Sequence, residues 1–284
     1  MANKAEAFKL EGNKHFKAGD WKAAEHLYSQ AIMHNSTNPL YFTNRALTRL
    51  NLQAWDAAIN DCLKSIELMA FNMKAYYYLA QAQVQLHHPN EALSSALTAY
   101  DMCLRAGNSA DASSISALVL RAKKEKWEVR ERERLRRRSE LLAELEDRLE
   151  MARRDEVTSI MNRVSANALD MYEAEEERII VDDLSNKKVQ ELRSTFALSD
   201  PENLQTREVP DYLIDNISFA IMHDPVVTKT GQSYERSTLI EHLRRSETDP
   251  LTREPLRVQD LRPNLALRQA CAEFLETNGW AVDW

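Results

Sequence analysis

Residues 5–38 read AEAFKLEGNKHFKAGDWKAAEHLYSQAIMHNSTN, residues 39–72 read PLYFTNRALTRLNLQAWDAAINDCLKSIELMAFN, and residues 73–106 read MKAYYYLAQAQVQLHHPNEALSSALTAYDMCLRA. Laid over one another they repeat with a period of 34 residues. The eighth position holds Gly12, Ala46 and Ala80, and the twentieth Ala24, Ala58 and Ala92. The twenty-fourth holds Tyr28, Cys62 and Ala96, and the twenty-seventh Ala31, Ser65 and Ala99. Phe8, Phe42 and Tyr76 recur at the fourth. Small residues at fixed places fit helices that approach closely; aromatic ones fit places where the gap is wide. A helix pair of this length cannot cover its own apolar face, so the three must stack, with a curved inner surface lined by the first helix of each pair. A further helix from about Ser113 to Trp127 is expected to cap the stack.

This register resembles the tetratricopeptide repeat. On the inner face Lys9 and Asn13 stand four apart, as do Lys74 and Tyr78, so each pair shares one side of a helix; Asn44 takes the neighbouring place in the second repeat. Two ammoniums and two amides are donors suited to an anion, and a chain-terminal Asp offers two carboxylates. The set is similar to the carboxylate clamp of co-chaperone tetratricopeptide domains. That resemblance implies a ligand, the C-terminal Glu-Glu-Val-Asp tail of the seventy- and ninety-kilodalton heat-shock chaperones. Many clamps carry Arg where this chain has Tyr78; here Tyr78, Tyr77 and Leu40 are expected to form an apolar wall for residues upstream of the tail. Ordinary solvated surface is the alternative reading for each of the four polar residues.

Around this domain, composition excludes several classes. The chain has 284 residues, room for about two domains. Only five glycines are present, none spaced as a dinucleotide fingerprint or a phosphate loop. Cys62, Cys103 and Cys271 are odd in number and far apart, which argues against a disulfide framework and fits a reducing compartment. They supply no zinc site, and neither a metal nor a cofactor is expected. No apolar run is long enough to span a membrane. The start, MANKAEAFKLEGNKHF, lacks the apolar stretch of a secretory signal. The first repeat register opens at Ala5, and no acidic leader is expected ahead of it. A net charge of −7 argues against a general nucleic-acid binder.

Residues 128–198 form a charged spacer. Residues 121–138 hold ten basic and four acidic residues, read either as a solvated helix with interleaved ion pairs or as a nuclear-import or nucleic-acid patch. Leu135, Leu142 and Leu149 lie seven apart, as do Leu145 and Ala152; the stripe then continues on a shifted phase through Val157, Ile160, Met161, Val164, Ala168 and Met171. So narrow a stripe needs a partner helix. It folds back on Val189–Phe196 as a hairpin, pairs with a second chain, or does both, giving a homodimer of hairpins; an intramolecular bundle alone is the alternative. Residues 199–208, opening SDPENLQTR, read as a linker.

Residues 209–284 hold five of the eight prolines. Two short strands around Lys229-Thr230-Gly231 are expected, then a helix starting near Ser237 and Thr238 with Glu241 three on, the loop DPLTREPL, and a last helix from about Asn264 to Glu276. On that helix Leu267, Cys271 and Phe274 share a face. In order, ISFAIMHDPV, GQSYER, HL, DPLTREPL and RPNLALR resemble the U-box, a RING-like fold braced by hydrogen bonds and salt bridges in place of zinc. The whole chain is thus expected to be mainly α: an N-terminal α-solenoid of three tetratricopeptide repeats, a helical hairpin or coiled-coil spacer, and a small α+β U-box.

In this order the three parts resemble the chaperone-associated U-box ubiquitin ligases. The resemblance implies a co-chaperone that docks a ubiquitin-conjugating enzyme and directs ubiquitin to misfolded clients for proteasomal degradation, in the cytoplasm or, second, the nucleus. Ile217, Phe219, Pro250 and Pro255 would dock the conjugating enzyme, and Arg253 would bond both it and ubiquitin, holding the thioester ready for attack. Burial in the core of a small domain is the plain alternative for Ile217, Phe219 and Pro250. His242 lacks a neighbouring nucleophile and reads as a packing residue. Cys271 reads as buried structure rather than a ubiquitin-accepting thiol. The rival function is a chaperone-tail adaptor without ligase activity, which has no need of Arg253.

Overall fold

A computed structural model describes residues 2–106, 111–138, 140–198 and 208–284; the expected linker, all but Glu208, falls on residues outside this set. Six helices form three hairpins: α1 (Ala2–Lys17) with α2 (Trp21–His34), α3 (Pro39–Asn51) with α4 (Trp55–Leu68), and α5 (Met73–Gln85) with α6 (Pro89–Arg105). Their ends follow from local chemistry. Asp20, Asn38 and Asn72 each cap a helix by accepting a backbone N–H, and Pro39 and Pro89 stand in first turns, where no N–H bond is lost. The turn inside each hairpin places its equivalent residue, Gly19, Gln53 or His87, at positive φ.

Ala24, Ala31, Ala46, Ala58, Ala80, Ala92, Ala96 and Ala99 are all fully buried, and Gly12 lies so close to the ring of Tyr28 that a Cβ would sit 2.8 Å from it. The repeated small residues are therefore the contact points of the helix pairs. Thr43, Ser65 and Asn72 add a closed polar knot: the Asn72 amide donates to both hydroxyls, at 2.7 and 2.8 Å, and both hydroxyls reach the Pro39 carbonyl.

The cap is longer than expected. Helix α7 runs unbroken over Ala112–Arg138, so the capping helix and the first part of the charged run are one element with no Gly or Pro to end it. Ala112, Ile115, Val119 and Ala122 bury against α6.

The chain divides into two compact units, residues 1–128 with 209–284, and residues 129–208. In the second, α8 (Glu140–Ser165) and α9 (Met171–Leu198) form a hairpin. Asn167, at positive φ, closes α8, and Asp170 caps α9. Leu142 and Ile160 are buried in the hairpin, and Arg193–Glu146, Arg153–Asp182 and Arg163–Glu177 clip its two helices together. Ala152, Met161, Ala168 and Met171 of the expected stripe remain exposed, with Met151, Tyr172, Ile180 and Leu184; the side chain of Leu135 lies outside the described set.

Within the first unit, the C-terminal segment has a three-stranded antiparallel sheet of order β2-β1-β3, from β1 (Pro225–Val227), β2 (Ser233–Glu235) and β3 (Arg262–Pro263). The third strand, two residues with a proline, carries too little pattern to be read from sequence. Helix α10 (Arg236–Leu243) begins earlier than expected, so Thr238 lies inside it, its hydroxyl donating to Asp215 and the Glu235 carbonyl, and the cap position Glu235 makes no side-chain cap bond. Helix α11 (Leu265–Thr277) starts at its Asn264 cap.

This segment packs on α6 and α7. Tyr100 donates to Asp224 at 3.2 Å, Ser116 to Glu235 at 3.3 Å, and the Trp127 indole to the Thr277 carbonyl at 2.9 Å. Gly279 lies against Trp127, where any Cβ would overlap the ring. Asp224 also binds Arg236 and Arg268, so a buried carboxylate meets two guanidiniums. Burial, then the neighbouring Lys123, push His223 down to about 3, so it is neutral through the physiological range.

Candidate functional site

The inner groove of the solenoid begins on α1. Lys9 and Asn13 are half-buried one turn apart. The Asn13 carbonyl oxygen accepts from the Tyr28 hydroxyl at 2.8 Å and from the Asn44 amide at 3.4 Å. Its NH2 is therefore left as the donor of that side chain. Burial pushes the Tyr28 hydroxyl up to about 12, so it stays protonated and keeps donating. Tyr28 thus orients Asn13, a contact that the sequence displayed only as one member of a core column. Lys74, in the first turn of α5, is exposed and pairs with no acid among the described residues.

Beyond these residues the groove holds a cavity of about 420 Å³ lined by Leu47, Trp55, Tyr77, Gln81, Leu118 and Arg121, among others. Of the expected apolar wall, Tyr77 lines it. Leu40 stands exposed outside it, and Tyr78 turns into the core against Ala46, Cys62 and Leu79. Burial pushes the Tyr78 hydroxyl up to about 12.

The C-terminal segment carries two loops built on one plan. In the first, Asp215 is fully buried; its Oδ2 accepts from the Ser218 N–H at 2.9 Å, the Ser218 hydroxyl at 2.7 Å and the Thr238 hydroxyl at 2.9 Å, and its Oδ1 from the Glu235 N–H at 3.0 Å. In the second, Asp249 accepts on Oδ1 from the Leu251 N–H at 2.9 Å, the Thr252 N–H at 3.1 Å and the Tyr234 hydroxyl at 2.9 Å, and on Oδ2 from Thr230 at 3.2 Å. In each loop the residue four past the Asp returns its N–H to the Asp carbonyl and sits at positive φ: Phe219 at +56° and Arg253 at +61°. The bridges Ile214–Ile221 and Thr248–Pro255 close the loops. Helix α10 is tied to both, through Thr238 to Asp215 and through His242 Nε2 to the Thr248 carbonyl at 3.0 Å.

A carboxylate with four donors does here what a bound cation does elsewhere: it gathers backbone and hydroxyl groups around one point of charge. Among the described residues no His, Cys, Asp and Glu cluster could hold a metal ion. Burial pushes the Asp249 carboxyl up, but the N–H groups of Thr252 and Leu251 and the hydroxyls of Tyr234 and Thr230 outweigh it, so its pKa is held below the usual range.

These scaffolds expose their tips. Phe219 is 73% exposed and Leu251 62%; Arg253 and Pro255 are exposed, Pro250 is half-buried, and Ile217 packs partly on the core of Val226, Tyr234 and Leu239. The Arg253 guanidinium has no partner among the described residues. Leu251 escaped the sequence reading. Its signal was internal: Asp215-Asn216-Ile217-Ser218 and Asp249-Pro250-Leu251-Thr252 follow one pattern, which makes Leu251 the counterpart of Ile217. Cys271 is buried in the core of α11, and burial pushes its thiol up to about 11, so no nucleophilic thiolate forms near neutral pH.

Comparison with known proteins agrees with this geometry. The U-box domain family matches residues 209–280. The E3 ubiquitin-protein ligase CHIP of Arabidopsis thaliana is 32% identical over 280 residues, 98% of this chain and 95% of that protein. The chain belongs to the CHIP family. It is a U-box E3 ubiquitin ligase of the co-chaperone type, mainly α-helical, with tetratricopeptide repeats ahead of the U-box. The Hsp70/Hsp90 co-chaperone CNS1 of Saccharomyces cerevisiae is 36% identical over 96 residues, 32% of this chain and 25% of that protein. A solved TPR2B domain of yeast Sti1, in complex with an Hsp70 peptide, is 30% identical over 42% of this chain and 95% of that one, with a TM-score of 0.41. The repeats and the U-box stand at opposite ends of this sequence, and both belong to one compact unit. No described helix is long and apolar enough to cross a membrane.

Proposed function

We propose that this CHIP-family ligase binds the C-terminal Glu-Glu-Val-Asp tails of the seventy- and ninety-kilodalton chaperones in its repeat groove and presents their misfolded clients, in the cytoplasm, to ubiquitin on a conjugating enzyme held by the U-box loops. The observation that carries this reading is the pair of Asp-built loops, which expose Phe219, Leu251 and Arg253 while Cys271 lies buried and protonated. No covalent step then falls to this chain. Ile217, Phe219, Pro250, Leu251 and Pro255 offer a small apolar surface to an exchangeable partner. Arg253, free to make several donor bonds, joins conjugating enzyme to ubiquitin.

In the groove, Lys9, Asn13, Asn44 and Lys74 supply donors to the two terminal carboxylates, and the cavity beside Tyr77 takes residues upstream. Lys9→Ala is expected to weaken a free-acid tail peptide by about 1.5 kcal/mol, the lower end for a bond to a charged group. Titration calorimetry measures this, and equal affinity of wild type and variant overturns the clamp assignment. An amidated peptide binds less tightly on the same grounds.

The α8–α9 hairpin supports a homodimer. Met161, Met171, Tyr172, Ile180 and Leu184 lie exposed on it and offer apolar side chains to a second copy. The full chain should sediment at twice its mass and a chain without residues 128–198 at its single mass; an intact chain that is monomeric at micromolar concentration rules the dimer out.

A further inference from the structure

The two lysines of the groove are not equivalent. Lys74 is exposed and pairs with no acid among the described residues. Lys9 is already engaged: its ammonium is paired with Glu6 Oε1, one turn earlier on α1. The other oxygen of Glu6 accepts from the Tyr41 hydroxyl of α3 at 3.3 Å, and Tyr41 is itself buried. Both carboxylate oxygens of Glu6 are therefore held, one by the groove lysine and one by the neighbouring repeat. A carboxylate already sits where an incoming carboxylate has to go.

We propose that Glu6 is a built-in competitor at Lys9, so that a carboxylate ligand of the groove has to take Lys9 from it. The inference rests on the clamp reading of the groove and adds a residue to it that sets affinity. Displacement exchanges the exposed pair with Glu6 for the bond to the ligand, so a ligand keeps only part of what that lysine offers. The net gain comes from groups Glu6 leaves free: Lys74 and the amides of Asn13 and Asn44. A ligand bearing one carboxylate can satisfy Lys74 without disturbing Glu6. A chain-terminal Asp carries two, and the second is what removes Glu6 from Lys9. Glu6 thereby favours free-acid dicarboxylate ends over single acidic side chains. The opposite role is also physical: Glu6 could steady Lys9 in a shape that the ligand needs, and its loss would then weaken binding.

Calorimetry on the full chain separates these, with a seven-residue free-acid peptide ending in Glu-Glu-Val-Asp as probe. Glu6→Gln keeps the side-chain shape and an acceptor for Tyr41 but removes the charge. It should tighten binding about three- to fivefold, the scale of releasing one exposed ion pair. Glu11→Gln, two residues from Lys9 and so pointing away from it on α1, removes the same net charge and should change affinity by less than about 1.5-fold. In a Lys9→Ala background the gain from Glu6→Gln should vanish, because the competitor no longer has a lysine to occupy. Unchanged or weakened binding in Glu6→Gln, or the same gain without Lys9, overturns the competitor while the clamp stands. If Lys9→Ala alone binds as wild type, the clamp reading fails and the competitor falls with it.

Discussion

Arg253→Ala is expected to slow the discharge of ubiquitin from a preloaded conjugating enzyme by about 100-fold, the scale of a reacting group held about 1 Å out of place. Docking of the conjugating enzyme should stay near wild type, because Phe219 and its apolar neighbours remain in place. Phe219→Ala should do the reverse, weakening docking by about 1–3 kcal/mol as an interface anchor. Single-turnover discharge to free lysine at saturating ligase separates the two. The backbone supplies a sharper variant. Arg253 holds a φ of +61°, a region that costs a non-glycine residue about 1 kcal/mol. Arg253→Gly should relieve that strain, leaving the loop at least as stable as in wild type, yet discharge as slowly as the alanine variant. Wild-type discharge in either variant overturns the role of Arg253. A strained residue exposed at the tip of a braced loop is where a fold trades stability for function.

Asp249→Ala should disorder the second loop and remove ligase activity altogether. Four donors lose their acceptor, among them the Tyr234 hydroxyl, whose side chain is fully buried, and each orphaned buried group costs about 1–3 kcal/mol. Even far short of additivity, the loss is a large share of the stability of a small domain. The readout is hydrogen exchange at the amides of Leu251 and Thr252, which should lose protection, while those of the repeat helices keep it. Asp249→Asn retains one carbonyl acceptor and should fall between. If both variants exchange and discharge as wild type, the brace is not Asp249. The pH dependence has a definite sign. The folded pKa of Asp249 lies below its unfolded value of about 3.9, so its contribution is complete above that pH and is lost as pH falls through the folded value. The loop should therefore stay closed at neutral and mildly acid pH, and a chelator should leave both loop and activity intact.

Much of this architecture is legible in sequence because it is periodic or local. A 34-residue period in small residues fixes the solenoid, since alanines and Gly12 must fall where helices touch. The Asn and Asp caps, the glycine turn at Gly231 and the last helix are set by neighbours within four residues. The candidate residues Lys9, Asn13, Asn44 and Lys74 come from the repeat register and its resemblance to a carboxylate clamp, and Ile217, Phe219, Pro250, Arg253 and Pro255 from what the resemblance to U-box ligases implies. What the tertiary structure alone decides is who holds these residues. The Asn13 amide is oriented because Tyr28, fifteen residues on, donates to its carbonyl oxygen. Lys9 is preoccupied because Tyr41 steadies Glu6 across 35 positions. Asp215 and Asp249 become centres only when Glu235, Thr238, Tyr234 and Thr230 converge on them from other elements. The seam of Tyr100 with Asp224 and Ser116 with Glu235 spans 124 and 119 positions. A hydrogen bond needs its two atoms within about 3 Å and aligned, and between distant segments that is a property of the packed chain, with no period or spacing to announce it.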